Sequence, residues 1–182
     1  MAIVANAEVI KRLVILIADG RPHPRALLRS MLSQLEVKNI HEAIDGAAAL
    51  DAIIAVNPDV MILDWELPVF NAAEVLRTVR TSPTIPYPDL PVIVLSSSGQ
   101  SRDVHKAMKH GAPHFMVWPI STKMLQQRLS GIVEKARKTA LAYKHTSDAA
   151  AKSANPAAPT ARYPQTCATR HAPRSVRQRT SV

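Results

Sequence analysis

The chain has 182 residues, of which 47% are hydrophobic and only 4% aromatic, and its formal net charge is +9. This length suits one ordinary hydrophobic core with a tail, and it is short for two cores. A single cysteine, Cys167, excludes an internal disulfide, and no Cys/His spacing is typical of zinc, so we expect a reducing cytoplasm. No apolar run approaches the length of a membrane-spanning helix, so we expect no membrane partner.

Short apolar runs alternate with helical patterns over the first 144 residues. In chain order the pattern predicts a strand at 13–18, a helix at 25–35, a strand at 39–45, a helix at 47–56, a strand at 58–64, a helix at 72–80, a strand at 91–97, a helix at 104–110, a strand at 115–117 and a helix at 122–143. The second strand is the most polar, which is typical of a sheet edge, whereas the other four are continuously apolar. This alternation predicts an α/β protein with a doubly wound, five-stranded parallel sheet flanked by five helices.

The composition changes near residue 144. From there the chain is rich in Ala, Pro, Ser and Thr, and residues 145–182 carry six Lys and Arg against a single acid. We therefore predict a folded domain over 1–143 and a disordered basic tail over 144–182. The charge of the tail would suit nucleic acid, but the tail has no interleaved aromatic residues and no folded reading element, so a nucleic-acid contact is unsupported.

Polar residues mark the carboxyl ends of the predicted strands. The first strand ends in Asp19, the third in Asp64, the fourth in Ser96 and the fifth in Trp118. Because the carboxyl ends of parallel strands meet at one edge of the sheet, we expect these residues to lie together. Two carboxylates and the Glu66 backbone carbonyl would suit Mg²⁺, which prefers oxygen ligands, and a carboxylate can also act as a nucleophile that forms an acyl phosphate.

Histidines near this edge are not predicted to carry the chemistry. His23, within the segment RPHPR that follows Asp19, is interpreted as a surface-loop residue. His105, His110 and His114 lack an accompanying acidic ligand, so we interpret them as solvated side chains rather than a metal site.

Four segments carry a resemblance to a known family. They are LIAD, PDVMILDWELP, LPVIVLSSS and GAPHFMVWPIS, and they occur in this order over about 125 residues. Together they resemble the receiver domain of response regulators in two-component signalling, similar to the chemotaxis receiver. The resemblance implies a flavodoxin-like sheet with the strand order 2-1-3-4-5.

The resemblance also implies roles for individual residues. Asp64 would accept a phosphoryl group from a histidine kinase or a histidine phosphotransfer protein, and Mg²⁺ would be held by Asp19, Asp64 and the Glu66 backbone carbonyl. Ser96 would hydrogen-bond to the phosphoryl group, and Phe115 would be the aromatic residue whose rotamer follows it. A downstream protein would read the surface around the fourth and fifth predicted helices, and the first, with its Leu/Met stripe, would dock the kinase.

The sequence departs from the receiver pattern at three places. Ala18 stands where receivers usually carry a second acid, and Trp118 stands where they usually carry a lysine before the last-strand proline. Asn71 and Ala72 stand where an acid and a glycine are usual in the loop after the phosphoacceptor. The bond between Trp118 and Pro119 is a candidate cis peptide.

Three classes of function remain open from the residues. The first, which we favour, is a single-domain response regulator that signals through protein–protein contacts. The second is a degenerate pseudo-receiver that serves as a phosphorylation-independent interaction module. The third is an enzyme such as an aspartyl-nucleophile phosphatase, which the stretch from Asp64 to Glu66 would permit; we expect no enzyme, because no insertion could form a substrate cap.

Overall fold

The structure of the protein is a computed structural model that describes residues 2–85, 87–98, 100–112 and 114–153. Within these residues, the strands are Val14–Ala18 (β1), Asn39–Ala43 (β2), Val60–Asp64 (β3), Val92–Ser96 (β4) and His114–Val117 (β5). The helices are Ala2–Ile10 (α1), Pro22–Gln34 (α2), Gly46–Val56 (α3), Ala72–Thr81 (α4), Ser101–Lys109 (α5) and Thr122–Ser153 (α6).

The strands form one parallel sheet in the order β2-β1-β3-β4-β5. The predicted α/β class, the parallel pairing and the strand order are therefore confirmed. The polar strand β2 lies at one edge of the sheet, as its composition predicts. All residues of the central strands β3 and β4 are buried, because helices cover both faces of the sheet.

Alternate residues of each strand supply the two buried layers of this one domain, a first core and a second core, one on each face of the sheet. One core contains Leu16, Met61, Leu63, Val92 and Val94 from the strands, packed with residues of α3 and α4. The other contains Ile15, Ile17, Ile62, Ile93 and Leu95, packed with residues of α2 and α6. Each fully buried aliphatic side chain of this kind contributes about 1.5–3 kcal/mol to folding, so the two cores fix the register of the strands and the position of their ends.

The Leu/Met stripe of α2 belongs to the second core. Leu28, Met31 and Leu32 are buried, whereas Leu27 is 38% exposed. The expectation that this helix docks a kinase stays a prediction, but the three buried residues do not support it, because the same 3.6-residue period that marks a docking face also marks a core face.

The described residues form six helices where the sequence pattern predicts five, and the boundaries also differ: α5, for example, begins at Ser101 rather than at residue 104. Helix α1 was not predicted, because its short apolar sequence has no clear polar face; its Ile10 is nevertheless buried in the second core. Helix α2 begins at Pro22 rather than at residue 25, since proline is favoured in the first turn of a helix. Helix α6 continues to Ser153 rather than ending at Tyr143, and the alanines at 149–151 favour this continuation.

The chain divides into a compact unit over residues 1–144 and a second unit over residues 145–182. Residues 145–153 of the second unit continue helix α6. The rest of the predicted tail, residues 154–182, lies outside the described residues, so its disorder stays a prediction. In the part of the chain that the structure describes, no helix is long and apolar enough to cross a membrane.

Arg80 lies in the last turn of α4, at the end of the helix away from the carboxyl ends of the strands, and it joins three segments of the chain. Its guanidinium donates to the backbone carbonyls of Pro88 at 2.6 Å, Leu90 at 2.9 Å and Gly111 at 2.8 Å. Of these three bonds only the one to Leu90 is part-buried, and a buried carbonyl without a partner is costly. Arg80 thus ties the chain before β4 and the turn before β5 to the same helix.

Candidate functional site

The carboxyl ends of the central strands bring three buried polar side chains to one edge of the sheet. Asp19 follows β1, Asp64 ends β3 and Ser96 ends β4, and each side chain belongs to a residue that is at most 3% exposed. The strands carrying them are adjacent, with Ala18 paired to Leu63 and Asp64 paired to Leu95. The predicted convergence of Asp19, Asp64 and Ser96 is therefore what the structure shows.

An arginine that was not predicted as a site residue connects the two carboxylates. Arg21 donates from Nε to Asp19 Oδ1 and from Nη2 to Asp19 Oδ2, each at 3.2 Å. The same Nη2 donates to Asp64 Oδ1 at 2.9 Å. In addition, the Arg21 backbone N–H donates to Asp19 Oδ1 at 2.8 Å. One guanidinium therefore bridges the ends of β1 and β3.

Local backbone structure places Arg21 in this position. Arg21 is the residue before α2, with an extended backbone at φ −93° and ψ 126°, and Pro22 begins the helix. Arg25, one turn further along α2, donates from Nη1 to the Asp19 backbone carbonyl at 2.8 Å. Arg25 and Arg29 both pair with Glu42 of β2, so the start of α2 is anchored to the edge strand.

The loop from β3 to α4 forms the rim of the pocket and packs closely on two glycines. A Cβ at Gly20 would lie 2.7 Å from the Pro68 ring, and a Cβ at Gly46 would overlap the Phe70 backbone. The Gly46 N–H also donates to the Pro68 carbonyl at 3.0 Å. Only residues without a side chain fit at these two positions, so the rim is held in place by close backbone contact.

Asn71 and Ala72, where the receiver pattern usually has an acid and a glycine, have structural roles. Asn71 Oδ1 accepts from the Glu74 N–H at 3.1 Å, and Glu74 Oε2 accepts from the Asn71 N–H at 2.8 Å, which is a capping box. Ala72 is fully buried at the start of α4. This departure therefore stabilises the helix that follows the pocket and leaves the strand ends unchanged.

The electrostatic environment of Asp64 disfavours its negative charge. The pKa of Asp64 is raised to about 6, chiefly by burial and next by the neighbouring Asp19 carboxylate. The Arg21 guanidinium and the Glu66 backbone N–H act in the opposite direction. Asp64 is therefore mainly ionised at neutral pH, and it becomes protonated in mildly acidic solution.

Ser96 carries a hydroxyl that points toward the β4–α5 loop. Its Oγ accepts a hydrogen bond from the Ser98 N–H at 3.1 Å, and the Trp118 N–H donates to its backbone carbonyl at 3.0 Å. An oxygen that accepts a backbone N–H still carries its own hydroxyl hydrogen. Ser96 can thus donate a hydrogen bond to an anionic ligand while its position is fixed by Ser98.

Trp118 brings bulk and a neutral donor to the end of β5. The side chain is partly buried and packs against the core of α2 and α6. Among the described residues, its Nε1 is a buried side-chain donor without a hydrogen-bond partner. The Trp118–Pro119 peptide is cis, which confirms the sequence expectation. Trp118 therefore supplies no positive charge at the position where receivers usually carry a lysine.

Two aromatic rings link the end of β3 to β5. Trp65, directly after Asp64, meets Phe115 edge to face, with ring centroids 6.4 Å apart and an interplanar angle of 66°. The Trp65 N–H donates to the Leu95 carbonyl at 2.7 Å. Trp65 and Glu66 also line an open cleft of about 490 Å³ that extends to Lys106 on α5. The residue after Asp64 is thus in contact with Phe115, so a movement of the backbone at Asp64 can shift the Phe115 ring.

The ligand set for a metal ion is small. In the described part of the chain, no cluster of three or more His, Cys, Asp or Glu side chains could hold a metal. The two carboxylates and the Glu66 backbone carbonyl have the oxygen chemistry that Mg²⁺ prefers, since Mg²⁺ often takes one or two carboxylates and keeps several waters. The donors therefore fit Mg²⁺, but both carboxylates already accept hydrogen bonds from Arg21.

Comparisons with known proteins agree with this geometry. The family model for the response regulator receiver domain matches residues 15–130. Among curated proteins, a chemotaxis protein CheY homolog of Campylobacter jejuni is 28% identical over 121 residues, which is 65% of this chain and 91% of the relative.

Solved structures share the fold. The receiver domain of the Francisella response regulator 1452 has a TM-score of 0.59 and 23% identity, covering 69% of this chain and 99% of that chain. The chemotaxis response regulator CheY4 of Vibrio cholerae has a TM-score of 0.60 and 22% identity, covering 66% of this chain and 98% of that chain. Because the family model spans more than half of the sequence, the chain belongs to the response regulator receiver domain family.

Proposed function

We propose that this receiver domain accepts a phosphoryl group on Asp64 from a histidine kinase or a histidine phosphotransfer protein, and signals through contacts with a downstream protein. The observation that supports the proposal most strongly is the position of Asp64. It is a buried carboxylate at the end of a central strand, beside Asp19 and on the same edge as Ser96.

The residues of the chain suggest how the transfer would proceed. A carboxylate oxygen of Asp64 attacks the phosphorus of a phosphohistidine, forming an O–P bond as the N–P bond breaks. The electron pair of that bond stays on the histidine nitrogen, which then takes up a proton. Mg²⁺, when held by Asp19, Asp64 and the Glu66 carbonyl, would supply positive charge beside the phosphoryl oxygens. The Ser96 hydroxyl would donate a hydrogen bond to one of them.

The output surface that we propose lies on α5, β5 and α6. Phe115 on β5 contacts Trp65, so a change at the pocket can reach this face through the two rings. Met108 on α5 and Met124 on α6 are 58% and 45% exposed, which gives a protein partner apolar area to bury. The proposed compartment, a reducing cytoplasm, rests on the single cysteine.

Uptake of a small phosphodonor tests the proposal. Wild type, Asp64→Asn and Asp51→Asn are incubated with acetyl phosphate and Mg²⁺, and the acyl phosphate is measured by phosphate-affinity electrophoresis. Asp51 is an exposed acid on α3, so its variant removes the same charge away from the pocket. We expect uptake by wild type and Asp51→Asn only. Equal uptake by Asp64→Asn, or none by wild type at any Mg²⁺ concentration, would exclude Asp64 as the acceptor.

A second candidate function is a pseudo-receiver that binds a partner without phosphorylation. Two observations favour it: Arg21 occupies hydrogen-bonding positions on both carboxylates, and Trp118 provides no charge for a phosphoryl group. Asp64→Asn in cells distinguishes the two functions, because a phosphorylation-independent module should signal equally well with the amide.

We also propose that the protein is not an enzyme acting on a free substrate. The β3–α4 loop, where a substrate cap would be inserted, contains only residues 65–71. Its cleft is open rather than enclosed, so it offers little burial for a small molecule.

A further inference from the structure

We infer that Arg21 is the resident cation of the pocket formed by Asp19 and Asp64, and that a divalent metal ion binds there only by displacing the Arg21 side chain. The inference rests on the proposed use of this pocket for metal-assisted phosphoryl transfer. It adds a regulatory residue that the receiver pattern of this sequence did not indicate.

The first step of the argument is the geometry of the guanidinium. Arg21 pairs with both oxygens of Asp19 and with one oxygen of Asp64, so it spans the two carboxylates that would hold a metal. A metal ion and an arginine cannot both use the same carboxylate lone pairs along the same directions. Arg21 and Mg²⁺ therefore compete for one position between β1 and β3.

The second step is the charge of the pocket. Asp19 and Asp64 are almost completely buried, and both carboxylates contact the same Arg21 Nη2. Without a cation between them, two carboxylates this close together would repel each other strongly in a poorly hydrated site. Ala18 adds no third acid, and Trp118 adds no cation. Arg21 is thus the side chain that offsets one of the two negative charges when no metal is present.

The third step is that Arg21 can leave. Its side chain is 43% exposed, whereas those of Asp19 and Asp64 are 1% and 3% exposed. Its backbone stays fixed by the N–H bond to Asp19 and by the start of α2. Displacement therefore requires rotation of one long side chain into solvent, with no change in the strands or in the position of the carboxylates.

Removal of Arg21 should change the Mg²⁺ affinity in opposite directions in two cases: where Arg21 competes with the metal, and where it only holds the pocket in shape. If Arg21 competes with the metal, its loss frees both carboxylates and strengthens metal binding, while the metal-free protein becomes less stable. If Arg21 merely holds the pocket in shape, its loss weakens metal binding and stability together. The sign of the change in Mg²⁺ affinity separates these two cases.

The experiment measures binding of Mg²⁺ alone by isothermal titration calorimetry and by Trp65 fluorescence, for wild type, Arg21→Gln and Arg29→Gln. Arg29 is a half-exposed arginine on the same helix that pairs with Glu42, so its variant removes the same charge without touching either pocket carboxylate. We expect Arg21→Gln to bind Mg²⁺ about tenfold more tightly than wild type, and Arg29→Gln to differ from wild type by less than about twofold.

Thermal unfolding provides a second measurement. Without metal, Arg21→Gln should melt below wild type, and the rise in its melting temperature on adding Mg²⁺ should be larger than for wild type. Arg21→Lys, which keeps a charge but cannot form the planar bridge, should lie between the two and serves if Arg21→Gln does not fold. Because no phosphodonor is present, these results do not depend on whether Asp64 is phosphorylated.

The results that overturn the inference are specific. Unchanged or weaker Mg²⁺ binding by Arg21→Gln, or by Arg21→Lys where that variant replaces it, shows that Arg21 does not compete. An equal gain in Arg29→Gln shows that the effect is general electrostatics rather than displacement. A failure of phosphodonor uptake with tighter Mg²⁺ binding in Arg21→Gln would instead reject the proposed function and leave the competition intact.

Discussion

The raised pKa of Asp64 predicts how the stability of the protein depends on pH. Burial and the charge of Asp19 raise this pKa from 3.8 to about 6, so the folded state holds the proton more tightly than the unfolded state does. A carboxyl group with a raised pKa contributes stability that is fully present below pH 4 and is lost as the pH rises through 6. A shift of roughly two pKa units corresponds to about 3 kcal/mol in the unfolding free energy.

Asp64→Asn removes this titration and leaves the other ionisable groups in place. We expect the unfolding free energy of the variant minus that of wild type to increase by about 2–3 kcal/mol from pH 4 to pH 7.5. The assay is urea unfolding followed by circular dichroism at a series of pH values, with a chelator in every buffer. Asp51→Asn, which alters an exposed acid on α3 away from the pocket, is the control variant in the same assay.

A difference between Asp64→Asn and wild type that stays constant, or that decreases as the pH rises, would refute the reasoning. A constant difference would mean that the Arg21 ion pair offsets the burial of Asp64 completely. A decreasing difference would mean that the carboxylate is more favourable in the folded protein than in water.

Three further predictions concern packing and the pocket. Arg80→Ala should lower the unfolding free energy by roughly 1–2 kcal/mol in urea unfolding, since it leaves the part-buried Leu90 carbonyl without its donor while water can reach the other two. Arg80→Lys should recover only part of this loss, and a loss within error of zero would contradict the role of Arg80. Gly46→Ala should destabilise the protein by roughly 1–3 kcal/mol in urea unfolding, because the new Cβ overlaps the Phe70 backbone. Gly131→Ala places its Cβ with no atom within 4 Å and should stabilise the protein by about 0.5–1 kcal/mol, and equal effects of the two substitutions would show that the rim can move freely. Trp118→Lys should speed acetyl phosphate uptake about ten- to a hundredfold, because a charge-assisted hydrogen bond is worth roughly 1.5–3 kcal/mol, and an unchanged rate would favour the pseudo-receiver.

The sheet and its polar edge were predictable because both depend on strong local patterns. Continuous apolar runs such as 58–64 are buried on both faces in the structure, and a polar residue directly after such a run must emerge at the end of the strand. Asp19, Asp64 and Ser96 followed from this rule alone. The burial of Ala72 and the capping role of Asn71 did not, since these residues stand at the start of α4, before the apolar stripe that begins at Val75.

Arg21 was missed for a physical reason. An arginine two residues after an acid in a Pro-rich segment is usually a solvated surface side chain, and its long flexible stem can point in many directions. Its contact with Asp64, 43 positions away, depends on the turn between β1 and α2 and on the pairing of β1 with β3. The one signal in the sequence was charge: Trp118 stands where receivers usually carry a lysine, and Arg21 is a cation two residues after Asp19.

The stripe of α2 shows a related ambiguity. Leu28, Met31 and Leu32 recur at helical spacing, and this spacing is the same for a face that packs on a sheet and for a face that binds a partner. The tertiary structure decides between the two, because every helix of a doubly wound fold must first cover the sheet.

The close contact between the pocket rim and the two glycines also constrains how this sequence could have changed over evolution. The Gly20 position and the Pro68 ring share a space too small for a Cβ, and so do Gly46 and the Phe70 backbone. A homologous chain that carries a side chain at position 20 should therefore carry a residue smaller than proline at position 68. Substitutions at residue 20, after β1, and at residue 68, after β3, are thus expected to covary, although these positions are far apart in the sequence.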